Sequence, residues 1–320
     1  MINLRYHIVS LVAVFLAMAL GIVIGSTVLK EGASRATLTA LAATSQELQH
    51  TSADLRARND ELLALNGQWQ RFGHDVLPNL VRGRLQGRAA VVVDTDRVDD
   101  GTRRAVADAL RAAGARVDAQ LTFSSQRLAL TNAGDRSTLG LLLAAGDATA
   151  ETLRGELIDR LTGRLTEPRA LAGGKGRSAD LLTALNQAKF LTTLKLPEPV
   201  KNGTAALPPP GALFVVIGPT DGSTVLTPDQ FLIPLVDQLS HFSATVAAVE
   251  SADGTGSWIQ ALRAQKDVAA RVSTVDDVTL TFGQVALVAT MERRLANGSV
   301  GQYGIKAGAT SVLPPQAGGS

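Results

Sequence analysis

Residues 8–29 read IVSLVAVFLAMALGIVIGSTVL, an apolar run without a single charged side chain. At ~1.5 Å per helical residue the run spans about 33 Å, enough to cross the ~30 Å hydrocarbon core of a bilayer. Only a helix satisfies its own backbone groups in such a setting with one span. A signal peptide has a shorter apolar region, about 7–15 residues, followed by a small-residue cleavage site. Here the run is longer and flows into a second helical pattern, so it reads as a retained anchor.

The second pattern is a heptad ladder. Leu41, Leu48, Leu55, Leu62 and Trp69 fall on every seventh residue, and Leu38, Ser45, Ser52, Asn59 and Asn66 stand three residues ahead of each. Leucine at d with a polar a position is the pattern of a parallel dimeric coiled coil, in which Asn at a penalises other registers. A lone amphipathic helix packed on its own domain is the plainer alternative. The anchor carries a stripe on roughly the same face: Ala13, Ala17, Gly21 and Gly25 recur every fourth residue, and small residues at that spacing let two membrane helices approach closely. The expected organisation is a cytoplasmic tail over 1–7, an anchor over 8–29, a stalk over 33–70 about 55 Å long by helical rise, a domain over 86–298, and a tail over 299–320.

Composition bounds the rest. The chain has 320 residues, 45% hydrophobic and 19% charged, which is globular rather than disordered. A net charge of +2 gives no nucleic-acid footprint. Cysteine is absent, which excludes disulfides, thiolate metal sites and cysteine nucleophiles. Arg5 precedes the anchor and Lys30 and Arg35 follow it, so the positive-inside count is nearly balanced. The expected orientation puts the N-terminus in the cytoplasm and the large domain outside the plasma membrane.

Past the stalk, Pro78, Gly73, Gly83 and Gly87 predict a hinge or neck. AAVVVDTD at 89–96 predicts a buried strand, 101–113 a helix closing at Gly114, and RVDAQLTF at 116–123 an alternating strand. Two helices are expected over 150–165 and 178–194, joined by a loop at Ala172–Arg177. The same plan then repeats: strand 212–218, helix 227–239, strand 244–250, and a late helix over 279–296. The alternation predicts an α/β head with a parallel, doubly wound, Rossmann-like sheet. The closing GATSVLPPQAGGS is expected to be disordered.

The opening MINLRYHIVSLVAVFLAMALGIVIGS, the stalk, the VVVDTD strand and the run STVDDV…GQVALVATMERRLANGSVGQYG together resemble the actinobacterial MctB family of copper transport proteins. That resemblance implies a membrane-anchored, coiled-coil envelope protein with an α/β domain, a link to copper transport, and an association with cell-wall and division processes.

The residues give candidate chemistry of their own. Asp94 and Asp96 end a strand, and Asp276 and Asp277 form a later acidic pair, resembling how haloacid-dehalogenase-type phosphatases place a nucleophile and Mg2+ ligands. The accompanying lysine and threonine, Lys175 and Thr220, come in the reverse order, and Asp is favoured at strand ends and helix caps in any case. GGKGRS at 173–178 departs from a phosphate-binding loop because no Ser or Thr follows Lys175. His241 sits where imidazole meets a helix C-terminus, a structural place.

Copper would need sulfur or imidazole ligands. Met1, Met18 and Met291 are scattered, and histidines 7, 50, 74 and 241 make no short-range pair. His50, two residues after Leu48, falls at f and points away from a dimer partner. The expectation is a dimeric, non-catalytic scaffold or adaptor with no cofactor and no metal of its own, pairing through anchor and stalk and holding another envelope protein. Copper transport is the alternative and a phosphatase the third reading.

Overall fold

The computed structural model describes residues 4–166, 169–170, 180–195, 206–207, 211–222, 225–242, 245–254 and 258–315, with the side chains of 4–6, 26–39, 167–179 and 193–210 set aside. Helix α1 (Leu4–Val81) leads. Strand β1 (Ala89–Thr95), α2 (Asp100–Ala112), β2 (Arg116–Phe123), α3 (Ser125–Leu128), α4 (Ala133–Leu142) and α5 (Ala150–Thr166) follow. Next come β3 (Arg169–Ala170), α6 (Leu181–Gln187), β4 (Leu191–Lys195), β5 (Ala206–Leu207) and β6 (Leu213–Ile217). The chain ends with α7 (Leu232–His241), β7 (Thr245–Val249), α8 (Trp258–Ala264), α9 (Lys266–Ala269), β8 (Ser273–Val275), α10 (Thr281–Asn297) and β9 (Gln302–Tyr303). The chain divides into two units, Met1–Trp69 and Gln70–Ser320.

The first unit is helical throughout its described length. Among the described residues one stretch, His7–Gly25, is long and apolar enough to cross a membrane, with a mean hydropathy of 2.8. A β-carbon on Gly21 or Gly25 would meet nothing within 4 Å, so this side of the helix is open along the small-residue stripe. The d-position side chains Leu41, Leu48, Leu55, Leu62 and Trp69 are 62–65% exposed. Asn59 and Asn66 are exposed beside them, and the side chain of Leu38 lies outside the described residues.

In the second unit the sheet runs β4-β2-β1-β6-β7-β8-β9. Every neighbouring pair is parallel except β2 with β4, so the sheet is a mostly parallel, doubly wound one with an antiparallel edge. The central strands are β-branched runs buried on both faces, as a parallel sheet requires. Val91, Val93, Leu121, Phe123, Val216 and Val246 face a core closed by α4, α5, α6, α7 and α8. Ala90, Val92, Val215, Ile217, Val249 and Val275 face a second core closed by α2 and α10.

The last turns of α1 belong to that second core. Leu77 and Val81, with Leu85 from the turn that follows, are buried in it with Ala286 and Leu287 of α10. The helix therefore runs through Pro78 instead of ending in a neck. A proline leaves the carbonyl four residues back without its partner. That carbonyl belongs to His74, on an exposed turn, where water can serve it. Gly83 and Gly87 take positive φ (78° and 73°) in the turn that leads to β1.

Two other expectations change. The predicted helix over 178–194 stops at Gln187, and β4 takes the rest. Lys189 has φ 63°, and the Ser124 amide donates to the Phe190 carbonyl at 2.9 Å, which turns the chain onto the edge of β2. The predicted helix over 227–239 splits at Phe231 into a 3-10 turn at Pro228–Gln230 and α7. The tail is held as far as Pro315: the Thr310 amide donates to the Gln302 carbonyl at 2.7 Å and the Gly304 amide to that of Ser311 at 3.0 Å. Residues 316–320 and the Ala172–Arg177 loop, with Lys175, lie outside the described residues.

Candidate functional site

Alternation along β1 turns Asp94 to the same side as Ala90 and Val92, beneath α2. There its carboxylate is fully buried. Its Oδ2 accepts from Arg103 Nε at 3.0 Å and Gln120 Nε2 at 3.4 Å. Burial pushes the Asp94 carboxyl up, against the opposing pull of Thr122 and Arg103. Arg103 donates also to Asp100 at 2.9 Å and to the Thr95 carbonyl at 2.8 Å. Asp96, two residues on, accepts from the Ser125 amide at 3.0 Å and so fastens the start of α3.

The other acidic pair follows β8. Asp276 is fully buried against Arg263 Nη1 at 2.7 Å, and its Oδ1 accepts from the amides of Ile305 (2.8 Å) and Lys306 (3.1 Å). Arg263 also donates to Thr274 Oγ1 and the Tyr303 carbonyl, both at 2.8 Å. Asp277 is different. It too is fully buried, neither carboxylate oxygen has a hydrogen-bond partner, and the first turn of α10 closes over it. Burial, and next the charge of Asp276, raise its pKa to about 7.

Sequence spacing gave no sign of the third member of this network. Glu250, just past β7, is fully buried and takes the Lys306 ammonium and the Ile259 amide at 3.2 Å; burial pushes its carboxyl up. Lys306 also donates to the carbonyls of Ser251 and Gly254 at 3.0 Å each. The carboxyl ends of β7, β8 and β9 thus carry an internal salt network whose cations come from the protein.

The structure does not bring the four predicted aspartates together. Strands β6 and β7 stand between β1 and β8, a separation of about 14 Å at ~4.8 Å per strand. Asp94 and Asp276 are each matched with an arginine. Among the described residues no group of three or more His, Cys, Asp or Glu side chains is placed to hold a metal ion. Thr220, the predicted phosphate-binding hydroxyl, instead donates to the Arg97 carbonyl at 3.1 Å.

That last bond closes the place where a doubly wound sheet usually takes its ligand, the crevice at the carboxyl ends where strand order reverses. Here the reversal lies between β1 and β6. Arg97 pairs with Asp221 at 3.2 Å across it. The residual space among Thr95, Ser125, Pro219 and Leu232 is ≈ 10 Å³, about the least that admits a single water. A roomy cleft lies beside α2 instead, 640 Å³, lined by Asp96, Asp100, Arg103, Arg104, Ala107, Arg111, Gln120, Thr122 and Thr192.

The copper ligands available to one chain are poor. Met291 is fully buried in the core between α10 and the sheet. His74 is paired with Asp75 and His241 with Asp237, in different parts of the head. His50 is exposed on α1.

Comparison with known proteins fits the whole length. The family model described as "Copper transport outer membrane protein, MctB" matches residues 1–314. The protein named "Copper transporter MctB" of Mycobacterium leprae (strain TN) is 28% identical over 327 residues, 99% of this chain and 100% of the relative. Its namesake in Mycobacterium tuberculosis (strain ATCC 25618 / H37Rv) is 27% identical over 328 residues, with the same shares covered. The chain belongs to the MctB family.

Proposed function

We propose that this MctB-family protein is a membrane-anchored envelope component serving copper transport as a parallel dimer, without catalysis and without a copper site on its own side chains. The observation that carries the reading is the ladder on α1. Five large apolar side chains in one heptad register are 62–65% exposed, and burying one such side chain is worth roughly 1.5–3 kcal/mol. A second copy in register covers all five and sets Asn59 against Asn59 and Asn66 against Asn66. Copper comes from the names of the relatives; its indirect character comes from the dispersed histidines and the buried Met291. The arginine partners of Asp94 and Asp276 support the absence of catalysis.

In this reading the residues before His7 are cytoplasmic, the anchor crosses the plasma membrane and the head lies outside. A second reading makes the dimer an adaptor for another envelope protein in cell-wall or cell-division processes. It is favoured by Leu63 and Leu65, 60% and 49% exposed beside Leu62, which widen the apolar face beyond a two-helix seam. The test is Cu(I) competition on the full chain in detergent against a chelator of moderate affinity. No retained copper is expected, and stoichiometric copper lost on replacing Met291 or the histidines overturns the proposal.

A further inference from the structure

We propose that the cleft beside α2 is a binding site for a short zwitterionic peptide, held by its amine at one end and its carboxylate at the other. A ligand class can be read because the cleft is ordered along one helix. In the parallel crossover from β1 to β2, α2 runs back from the carboxyl ends of the strands. Asp96 and Asp100 therefore stand at one end of the cleft and Arg111 at the other, with Arg104 and Ala107 between. Positions 104, 107 and 111 follow the i, i+3, i+7 spacing of a single helix face. The small Ala107 leaves the gap between two guanidinium groups open.

The floor is the part of the sheet beside α2. On β2, Ala119, Leu121 and Phe123 are buried in the core on the far face, while the alternate Gln120 and Thr122 line the cleft together with Thr192 of β4. The Gln120 amide gives one hydrogen bond to Asp94 and keeps its other N–H and its carbonyl oxygen for peptide amides, beside the buried Thr122.

Charge sets the direction. At the acidic end, Asp96 and Asp100 stand with one cation, Arg103, whose Nε, Nη1 and Nη2 each already serve a partner: Asp94, Asp100 and the Thr95 carbonyl. Toward the other end, Arg104 spends one donor on the Asp100 carbonyl (3.1 Å) and Arg111 one on Asp108 (3.0 Å). A guanidinium has five donors, so both have several left for a carboxylate. The helix ends oppose this direction, but with only about half a charge each. From Asp100 to Arg111 is about 16 Å at ~1.5 Å per residue. An extended tetrapeptide is about 14 Å long at ~3.4 Å per residue. A volume of 640 Å³ is also that of an ordinary small-ligand pocket.

The test uses the full chain in detergent and tetraalanine as probe, with free, N-acetylated and C-amidated forms compared by calorimetry. Saturable binding of the free peptide is expected, weakened about tenfold by either cap. Arg104→Gln with Arg111→Gln should remove the response to C-amidation and keep the response to N-acetylation. Asp96→Asn with Asp100→Asn should do the reverse, which a misfolded variant could not. No saturable binding up to about 10 mM, equal binding of all three forms, or identical responses of both double variants overturns the proposal.

Discussion

Gly73 of α1 lies so close to Thr281 of α10 that a β-carbon on the glycine would stand 2.1 Å from the threonine Oγ1. The contact sits one turn before the buried Leu77 of α1, and at the first residue of α10. A glycine that looks like a breaker in the sequence is thus a point of close approach between two helices.

Gly73→Ala should therefore lower the stability of the head, although Ala favours a helix over Gly by about 1 kcal/mol. Overpacking of this kind costs about 1–3 kcal/mol, and a net loss of a degree to a few degrees in melting temperature is expected. Adding Thr281→Gly, which removes the colliding side chain, should give part of the loss back. Calorimetric melting of the three variants decides the matter.

Asp277 predicts a pH dependence with a definite sign. Its pKa is raised from 3.8 to about 7 in the folded head, so between those values the folded state holds a proton that the unfolded chain lacks. Stability then falls as pH rises through that window and levels off above it, by an amount on the order of a few kcal/mol. Asp94 and Glu250, also raised by burial, act in the same direction. Asp277→Asn should flatten the slope, coming nearest the parent below about pH 4 and exceeding it increasingly up to about pH 7 in urea-unfolding midpoints.

The Asp94–Arg103 pair separates a structural role from a catalytic one. Arg103→Ala leaves a fully buried carboxylate without its cation and should cost roughly 3–5 kcal/mol. Asp94→Asn keeps an acceptor for Arg103 and should be mild both in stability and in a strain that depends on the protein. Loss of function by Asp94→Asn with an unchanged melting curve would point to a nucleophile and bring back the phosphatase reading.

The seam on α1 predicts crosslinking by position. In this cysteine-free chain, Leu48→Cys or Leu55→Cys should give disulfide-linked dimers under mild oxidation, and His50→Cys at position f should not. Equal crosslinking at all three positions would remove the parallel dimer. Asn59→Leu should keep the helix and admit other registers and higher oligomers, seen as added species on sizing.

Much of the second unit could be read from the chain because its signals are local. Consecutive β-branched residues mark Ala89–Thr95 and Leu213–Ile217, and strict alternation marks Arg116–Phe123 with its first and last residues correct. Strand β4 was hidden since Leu191–Lys195 continues a helical pattern, and the break depends on a left-handed lysine, which sequence rarely announces. Pro78 misled because a proline near a solvent-facing helix end costs less than one in a packed interior. The DxD and DD pairs were found, but not their distance apart, which is set by strand order. Asp94 could have been assigned to the buried face from its alternation with Val92. Nothing in the spacing of Glu250, Arg263 and Lys306 announces that three separate strand ends share one salt network.

The central claim is that copper handling depends on the paired stalk and not on copper ligands of the chain. Cellular copper content measures this most directly, in a strain lacking the protein and complemented at matched membrane abundance. One variant replaces His7, His50, His74, His241 and Met291; the other carries Leu55→Ser with Leu62→Ser. The account predicts that the ligand-free variant restores the copper content of the parent and that the stalk variant leaves it at the level of the deletion. Restoration by the stalk variant together with failure of the ligand-free one would contradict it.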